Sequence, residues 1–298
     1  MRERKKPGLV KSQLDARIAA LPSLRTMVMD SGFVARRKLG QNFLFDLNIT
    51  RKIALYGGPY DDGDPVIEIG PGPGALTRAL LLEGVERLIA VELDPRCTAL
   101  LQPLAKAAEG RLVVHCGDAR KIGLCELIGS DDMKVRIVAN LPYHIALVLI
   151  VDWLKKAKQI HSITVMVQLE VARRLVAKVG MRDYGRISVL AGLNWNLKIL
   201  FQLAPDAFVP KPDVTSAVVQ FVPCDRVQSF DYAALERVTR AAFLQRRKML
   251  RSSLKPVFGS QVEQVCAEVG IDSSMRAEML SPHDYAKLAD YVSTQQMW

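Results

Sequence analysis

A chain of 298 residues, 49% of them hydrophobic, can bury a large core and has the length for two domains. It shows no apolar run of the roughly eighteen residues that a membrane span needs, and its basic start (Met1-Arg2-Glu3-Arg4-Lys5-Lys6) is not followed by a signal-peptide core, so neither a membrane-spanning nor a secreted chain is expected. The formal net charge of +10 favours an anionic partner.

Residues up to 38 read as an extension, with a helix expected around 12–18, another over 24–29, and the basic run Arg36-Arg37-Lys38 at its end. The first strong pattern follows. Pro65-Val66-Ile67-Glu68-Ile69 reads as a short buried strand, Gly70-Pro71-Gly72-Pro73-Gly74 as a turn, and 75–81 as a helix. Strand, glycine-rich turn and helix open a nucleotide-binding α/β domain. A second strand over 87–91 ends at Glu92, about twenty residues past the glycines, where a carboxylate would hold ribose hydroxyls. A third, over 111–116, leads to Gly117-Asp118-Ala119, where Asp118 either accepts from an adenine amino group or caps a helix.

The fourth strand, over 135–139, ends in Asn140-Leu141-Pro142-Tyr143. An amide oxygen accepts from amino hydrogens, an aromatic ring stacks on a flat base, and proline fixes φ near about −65°. The four residues alone also suit an ordinary strand-ending turn. Gly70, Glu92, Asp118 and Asn140 fall at successive strand ends, on one edge of a parallel sheet, where such folds bind ligands. The loop leaves the cofactor open between a dinucleotide and S-adenosylmethionine. Two prolines fit a pyrophosphate poorly, because proline has no N–H to offer, whereas S-adenosylmethionine carries no phosphate.

Further strands are expected over 162–167 and 217–221, a hinge at Pro223-Cys224-Asp225-Arg226, and helices from Tyr232 to Met297 with breaks at Gly259-Ser260 and 270–273. Arg173-Arg174 and Lys178 are assigned to one helix, and 243–251 to another that also carries basic residues. Trp153 and Trp195 are read as core. His115, His144, His161 and His283 show no metal-ligand spacing, so no metal is expected. Five isolated cysteines without a C-x-x-C pair point to a reduced, cytoplasmic chain with buried thiols.

From about Arg37 to the C-terminus the chain closely resembles the ribosomal RNA adenine N6,N6-dimethyltransferases of the KsgA type. The resemblance rests on Leu39-Gly40-Gln41-Asn42-Phe43-Leu44, the Glu68-to-Gly74 loop, Val91-Glu92-Leu93-Asp94, Gly117-Asp118-Ala119 and Asn140-Leu141-Pro142-Tyr143. It continues through Tyr184-Gly185-Arg186-Ile187-Ser188-Val189, Phe208-Val209-Pro210-Lys211-Pro212-Asp213-Val214-Thr215-Ser216 and Phe243-Leu244-Gln245-Arg246-Arg247-Lys248.

The resemblance implies a Rossmann-like class I S-adenosylmethionine-dependent methyltransferase sheet over 39–224, after an extension of 1–38 and before a small all-helical RNA-binding domain over 225–298. It implies that Gln41, Asn42 and Leu44 close over the cofactor, Gly70 touches its amino-acid portion, Glu92 holds the ribose, Asp118 reads the adenine and Asn140 also borders the cofactor. Asn140 and the carbonyl of Leu141 or Pro142 would accept from the target amino group, with Tyr143 and Phe208 sandwiching the base. Arg246, Arg247, Lys248 and Arg251 would meet RNA phosphates. His144 and Ala146 depart from the family pattern, where Asn and a hydroxyl residue are common.

The implied activity is dimethylation of two adjacent adenosines near the 3′ end of 16S rRNA, by a cytoplasmic monomer acting on the small ribosomal subunit or its precursor and contributing to subunit biogenesis. The alternatives are a large-subunit (23S) rRNA methyltransferase of the resistance type, a dinucleotide oxidoreductase and a non-catalytic RNA-binding assembly factor. The 208–216 segment and the C-terminal region favour the first reading over the second, the loop prolines disfavour the third, and the intact site residues disfavour the last.

Overall fold

The computed structural model of the chain describes residues 7–36, 39–60, 62–130 and 133–295. Arg37 and Lys38 of the expected basic run, and the end of the expected helical region at Met297, lie outside the described residues. Two compact units emerge. The first holds the described residues up to Ile150 together with Lys158–Leu169 and Ile199–Val222, and the second holds the rest.

The first unit is built on a seven-stranded sheet. A two-residue strand β1 (Phe43–Leu44) stands apart from it, and the sheet itself takes β2 (Val66–Ile69), β3 (Leu88–Glu92), β4 (Leu112–Cys116), β5 (Val135–Asn140), β6 (Ile160–Gln168) and β7 (Trp195–Leu203). A second short strand, β8 (Phe208–Val209), pairs antiparallel with β1, and β9 (Ser216–Pro223) completes the sheet in the order β4-β3-β2-β5-β6-β9-β7. Strands β2 to β6 are parallel and β9 runs antiparallel to β6. Strands β2 and β3 are buried throughout and β5 up to Ala139, which is why they read as continuous apolar runs rather than alternations. The sequence reading misses β7, an edge strand of mixed exposure.

The expected extension belongs to this unit. Helix α1 (Pro7–Ala19) packs against the helices that follow β2 and β3, with Leu14 and Ile18 in the same apolar cluster as Leu76, Leu80 and Leu104. After α2 (Leu24–Asp30), α3 (Leu47–Gly57) is capped by Asp46, α4 (Ala75–Leu82) starts at Gly74, and α5 (Pro95–Ala107) is capped by Asp94 with Pro95 in its first turn. Short α6 (Leu124–Ile128) follows β4, and α7 (Tyr143–Leu154) starts directly after the turn at the end of β5.

The second unit is larger than the expected 225–298, because it also recruits Val151–Ala157 and Glu170–Lys198. The reason is packing: Ala177, Tyr184 and Val189 share one core with Val238, Phe258, Tyr285 and Leu288. Its helices are α8 (Leu169–Val176), α9 (Arg186–Asn194), α10 (Tyr232–Leu244), α11 (Leu250–Ser253), α12 (Lys255–Phe258), α13 (Val262–Glu268) and α14 (Pro282–Thr294). Two helix expectations need correcting. Lys178 lies beyond the end of α8, and 245–248 forms a turn before Met249 bridges to Arg276, so Arg246, Arg247 and Lys248 are not on a helix. Trp153 and Trp195 are buried as expected. No cysteine among the described residues is in a disulfide, but only Cys97 and Cys266 are buried and Cys116 is exposed, because β4 is an edge strand.

Candidate active site

The C-terminal ends of β2, β3, β4 and β5 open into one cavity of the first unit, and Gly70, Glu92, Asp118 and Asn140 all line it. The glycine loop forms its floor. Gly70, Gly72 and Gly74 have φ of +67°, +56° and +97°, in the left-handed region that glycine adopts without strain. A Cβ on Gly72 would stand 2.7 Å from the Phe43 ring, so the loop lets β1 approach as closely as it does.

Glu92 is only 7% exposed. Its Oε2 accepts from the Gly72 N–H at 3.0 Å and its Oε1 from the Asp94 N–H at 2.8 Å, and burial pushes its carboxyl above the ordinary value. Asp118 is held differently. The Arg120 guanidinium forks onto it, with Nη2 at 2.6 Å from Oδ2, and holds the carboxyl down to about 2. Arg120 also lines the cavity, a neighbour that reading strand ends does not find.

Asn140 donates from Nδ2 to the Asn42 carbonyl at 3.2 Å. Among the described residues, nothing donates to its Oδ1. Next to it the Pro142 carbonyl accepts from the N–H groups of Ile145 and Ala146, at 3.1 Å each. That turn of α7 therefore leaves the Leu141 carbonyl as the uncommitted backbone acceptor at the strand end. Tyr143 lines the cavity half-buried, its hydroxyl 2.6 Å from the Ser216 hydroxyl, and burial raises its phenol.

The Gly40-Gln41-Asn42 loop covers the opening, and its Gln41 side chain is tethered. Nε2 donates to Asp94 Oδ2 at 2.9 Å and Oε1 accepts from the Arg36 N–H at 2.7 Å. Arg96 extends the tether: it pairs with Asp94, donates to the Val34 carbonyl at 3.1 Å and lies over the Phe33 ring. His144, exposed at the lip, comes so close to Gly40 (φ +63°) that a Cβ there would meet its Nδ1 at 2.9 Å. Ala146 is buried on α7, where a hydroxyl would need a partner.

Two implied site residues are set back from this cavity, Leu44 bordering a smaller adjoining pocket with Gly70 and Asn140. Leu44 and Phe208, paired across β1 and β8, are 4% and 2% exposed within the apolar core and do not line this cavity. Beneath the loop, Glu68 is 1% exposed, its Oε2 without a hydrogen-bond partner. Burial pushes its carboxyl up to about 8, against a smaller pull from the Thr77 hydroxyl.

Histidine spacing did not reveal that Asp62, Asp64 and His161 meet in space, since nearly a hundred residues separate them. The Arg136 guanidinium pairs with Asp62 and lies 3.2 Å from His161 Nε2, so one of the two carboxylates of the cluster is already paired with a cation of the chain. In the second unit, Arg246 Nη1 donates to the Arg182 carbonyl at 2.8 Å, Nη2 to that of Met181 at 3.2 Å, and Nε faces Glu278. Arg246 is thus a structural tether, while Arg247 and Lys248 are exposed and form no ion pair among the described residues.

Residues 32–294 match the ribosomal RNA adenine dimethylase family. The chain belongs to that family. It is 47% identical over 272 residues to the ribosomal RNA small subunit methyltransferase A of Chelativorans sp., covering 90% of this chain and 97% of that one. It is also 47% identical over 278 residues to the enzyme of the same name from Agrobacterium fabrum, covering 92% and 99%. In fold it is similar to a dimethyladenosine transferase from Plasmodium falciparum, with a TM-score of 0.71 at 22% identity over 86% of this chain and 98% of that one. The sheet of this dimethylase family member is accordingly that of the class I methyltransferases, as the family resemblance implied. No helix among the described residues is long and apolar enough to cross a membrane.

Proposed function

We propose that this chain transfers methyl groups from S-adenosylmethionine to N6 of two adjacent adenosines near the 3′ end of 16S rRNA, in the small ribosomal subunit or its precursor. The observation that carries the reading is the orientation of Asn140: its NH2 is committed to the Asn42 carbonyl, which turns Oδ1 outward as an acceptor.

The cavity fits the cofactor. Glu92 keeps lone pairs for ribose hydroxyls beyond the two N–H groups it holds, Asp118 faces the adenine side beside Arg120, and the glycine backbone leaves room for the amino-acid portion. Gln41 and Asn42 close the loop above it. When bound, S-adenosylmethionine supplies an electrophilic methyl group.

The rest falls to the chain. An adenine amino nitrogen is a weak nucleophile because its lone pair is delocalised into the ring. Asn140 Oδ1 and the Leu141 carbonyl accept its two hydrogens, favour a pyramidal nitrogen and stabilise the positive charge that develops there. Tyr143, steadied by Ser216, offers its ring face to the base, which has to leave its stack. Phe208 completes a sandwich only if β1 and β8 shift, since in this structure it is core. Positioning supplies much of the rate, and no strong base is required before attack. Exposed Arg247, Lys248 and Arg251 contribute phosphate contacts and salt dependence. The protein works as a cytoplasmic monomer and contributes to small-subunit biogenesis.

The test is methyl transfer from labelled cofactor to separated ribosomal subunits that lack the modification. Label in dimethyladenosine of small-subunit RNA is expected. Label on large-subunit RNA, or on neither, overturns the proposal.

A further inference from the structure

Arg96 stands in the first turn of α5, where the free N–H groups of a helix favour anions and disfavour a cation. The helix therefore gives no reason for an arginine at this position. Its guanidinium forks onto Asp94, with Nε 3.0 Å from Oδ1 and Nη2 2.6 Å from Oδ2, and draws that carboxyl down to about 2. Two features of the group remain free for other partners. Nη1 donates to the Val34 carbonyl at 3.1 Å, and the planar face lies 4.6 Å from the centre of the Phe33 ring. A planar fork can make all three contacts at once, and the compact ammonium of lysine cannot.

Neither Arg96 nor Phe33 lines the cavity, yet both touch residues that lead into it. The Phe33 ring meets the Phe43 ring edge-on, with centroids 5.7 Å apart, and Phe43 lines the cavity. The second route runs through Asp94, which is 2% exposed. Its Oδ2 also accepts from Gln41 Nε2 at 2.9 Å, and its N–H donates to Glu92 Oε1 at 2.8 Å. Gln41 in turn accepts from the Arg36 N–H. Residues 33–36, the covering loop and Glu92 thus meet in one network, with Asp94 as its buried centre. An exposed ion pair contributes little, but this one is a bidentate fork on a buried carboxylate, so removing the fork leaves the carboxylate poorly held.

We infer that Arg96 is a positioning residue for the cofactor: it latches residues 33–36 onto Asp94, and the latch sets the covering loop and Glu92 in their binding geometry before S-adenosylmethionine arrives. The inference rests on the cofactor reading above, and it gives the end of the extension a task. A site ordered in advance costs its occupant little conformational freedom, so the latch acts on affinity. Once the cofactor fills the cavity, the loop is closed with or without the latch, and the transfer step is spared. Arg96 therefore belongs to binding and not to chemistry.

The experiment compares full-length wild type with Arg96→Ala, Arg96→Lys, Phe33→Ala and the Arg96→Ala/Phe33→Ala double variant. Calorimetry should show S-adenosylmethionine binding about tenfold weaker in Arg96→Ala, with little recovered in Arg96→Lys. Phe33→Ala should weaken binding too, and the double variant should lose little more than Arg96→Ala alone, since both act through one network. In the cofactor-free protein, exchange at the Arg36 and Asp94 amides should quicken about tenfold in Arg96→Ala, while the Leu88 amide within the sheet keeps its wild-type rate. In methyl-transfer kinetics the KM for cofactor should rise, with kcat at saturating cofactor within about twofold of wild type. Wild-type affinity in Arg96→Ala, full rescue by lysine, or fully additive losses in the double variant overturns the inference. So does a fall in kcat that saturating cofactor does not relieve, or faster exchange at Leu88, which makes Arg96 a residue of general stability. A wild-type protein that binds no S-adenosylmethionine is a different result and refutes the cofactor reading itself.

Discussion

The Asn140 side chain is fastened to the main chain of Asn42 by a single hydrogen bond of 3.2 Å from Nδ2 to the carbonyl. The covering loop and the strand end thus share one amide, whose other end is left as an acceptor. Asparagine does both tasks because it has a donor and an acceptor on one planar group; aspartate keeps only the acceptor. Asn140→Asp is therefore expected to retain measurable methyl transfer, reduced about tenfold in kcat/KM. Single-turnover kinetics on small-subunit RNA check this, and complete loss would mean that the donor matters more than the acceptor.

Glu68 makes a pH signature. Its ordinary value is near 4.5 and burial raises it to about 8, so the fold favours the protonated acid. Its contribution to stability is fully present below about pH 4.5 and is lost as pH rises through 8. Glu68→Gln keeps the shape without the charge. Urea unfolding at pH 5, 6.5 and 8 should show the variant gaining on wild type with each step, then levelling off. A difference independent of pH would refute the assignment of Glu68 as a neutral acid.

Gly72 is constrained twice, by φ of +56° and by the Phe43 ring 2.7 Å from where a Cβ would stand. Gly72→Ala is expected to cost about 1–3 kcal/mol of stability and to push Phe43 out of place. Since Phe43 lines the cavity, calorimetry should show cofactor affinity about tenfold weaker. Wild-type affinity in a folded variant would show that this approach of loop and strand is not required.

Neighbouring arginines should separate. Arg246→Ala removes two hydrogen bonds to carbonyls and an ion pair, and is expected to lower stability by about 1–3 kcal/mol. Arg247→Ala should stay within about 0.5 kcal/mol of wild type while flattening the salt dependence of RNA binding. Thermal melts and salt titrations of both variants test the distinction; equal melting temperatures would contradict it.

Much of the first unit was legible because its interior strands are short, parallel and buried on both faces. Apolar runs ending at Gly70, Glu92 and Asn140 therefore located β2, β3 and β5 to within a residue or so. Their ends carry the site, and Glu92, Asp118 and Asn140 do converge on one cavity. β7 was missed although Trp195, Leu197 and Ile199 alternate with Asn196 and Lys198, because the apolar run Ile199-Leu200-Phe201 breaks the alternation.

Other features lay beyond one-dimensional reading. The Arg120 fork on Asp118, the tether from Gln41 to Asp94 and the meeting of His161 with Asp62 and Asp64 are side-chain encounters that no local spacing encodes. The basic run at Arg246 looked like one RNA-facing group. Only the carbonyls of Met181 and Arg182 show that its first member holds the protein together.

The central claim is that Asn140 acts on the target amino group and not chiefly on the cofactor. The most direct test pairs calorimetry of S-adenosylmethionine binding with methyl transfer to unmodified small subunits, for wild type and Asn140→Ala. Transfer should fall at least about a hundredfold while cofactor affinity stays within a few-fold, the share of one lost hydrogen bond to the loop. A variant that loses cofactor binding in proportion to transfer would contradict the account.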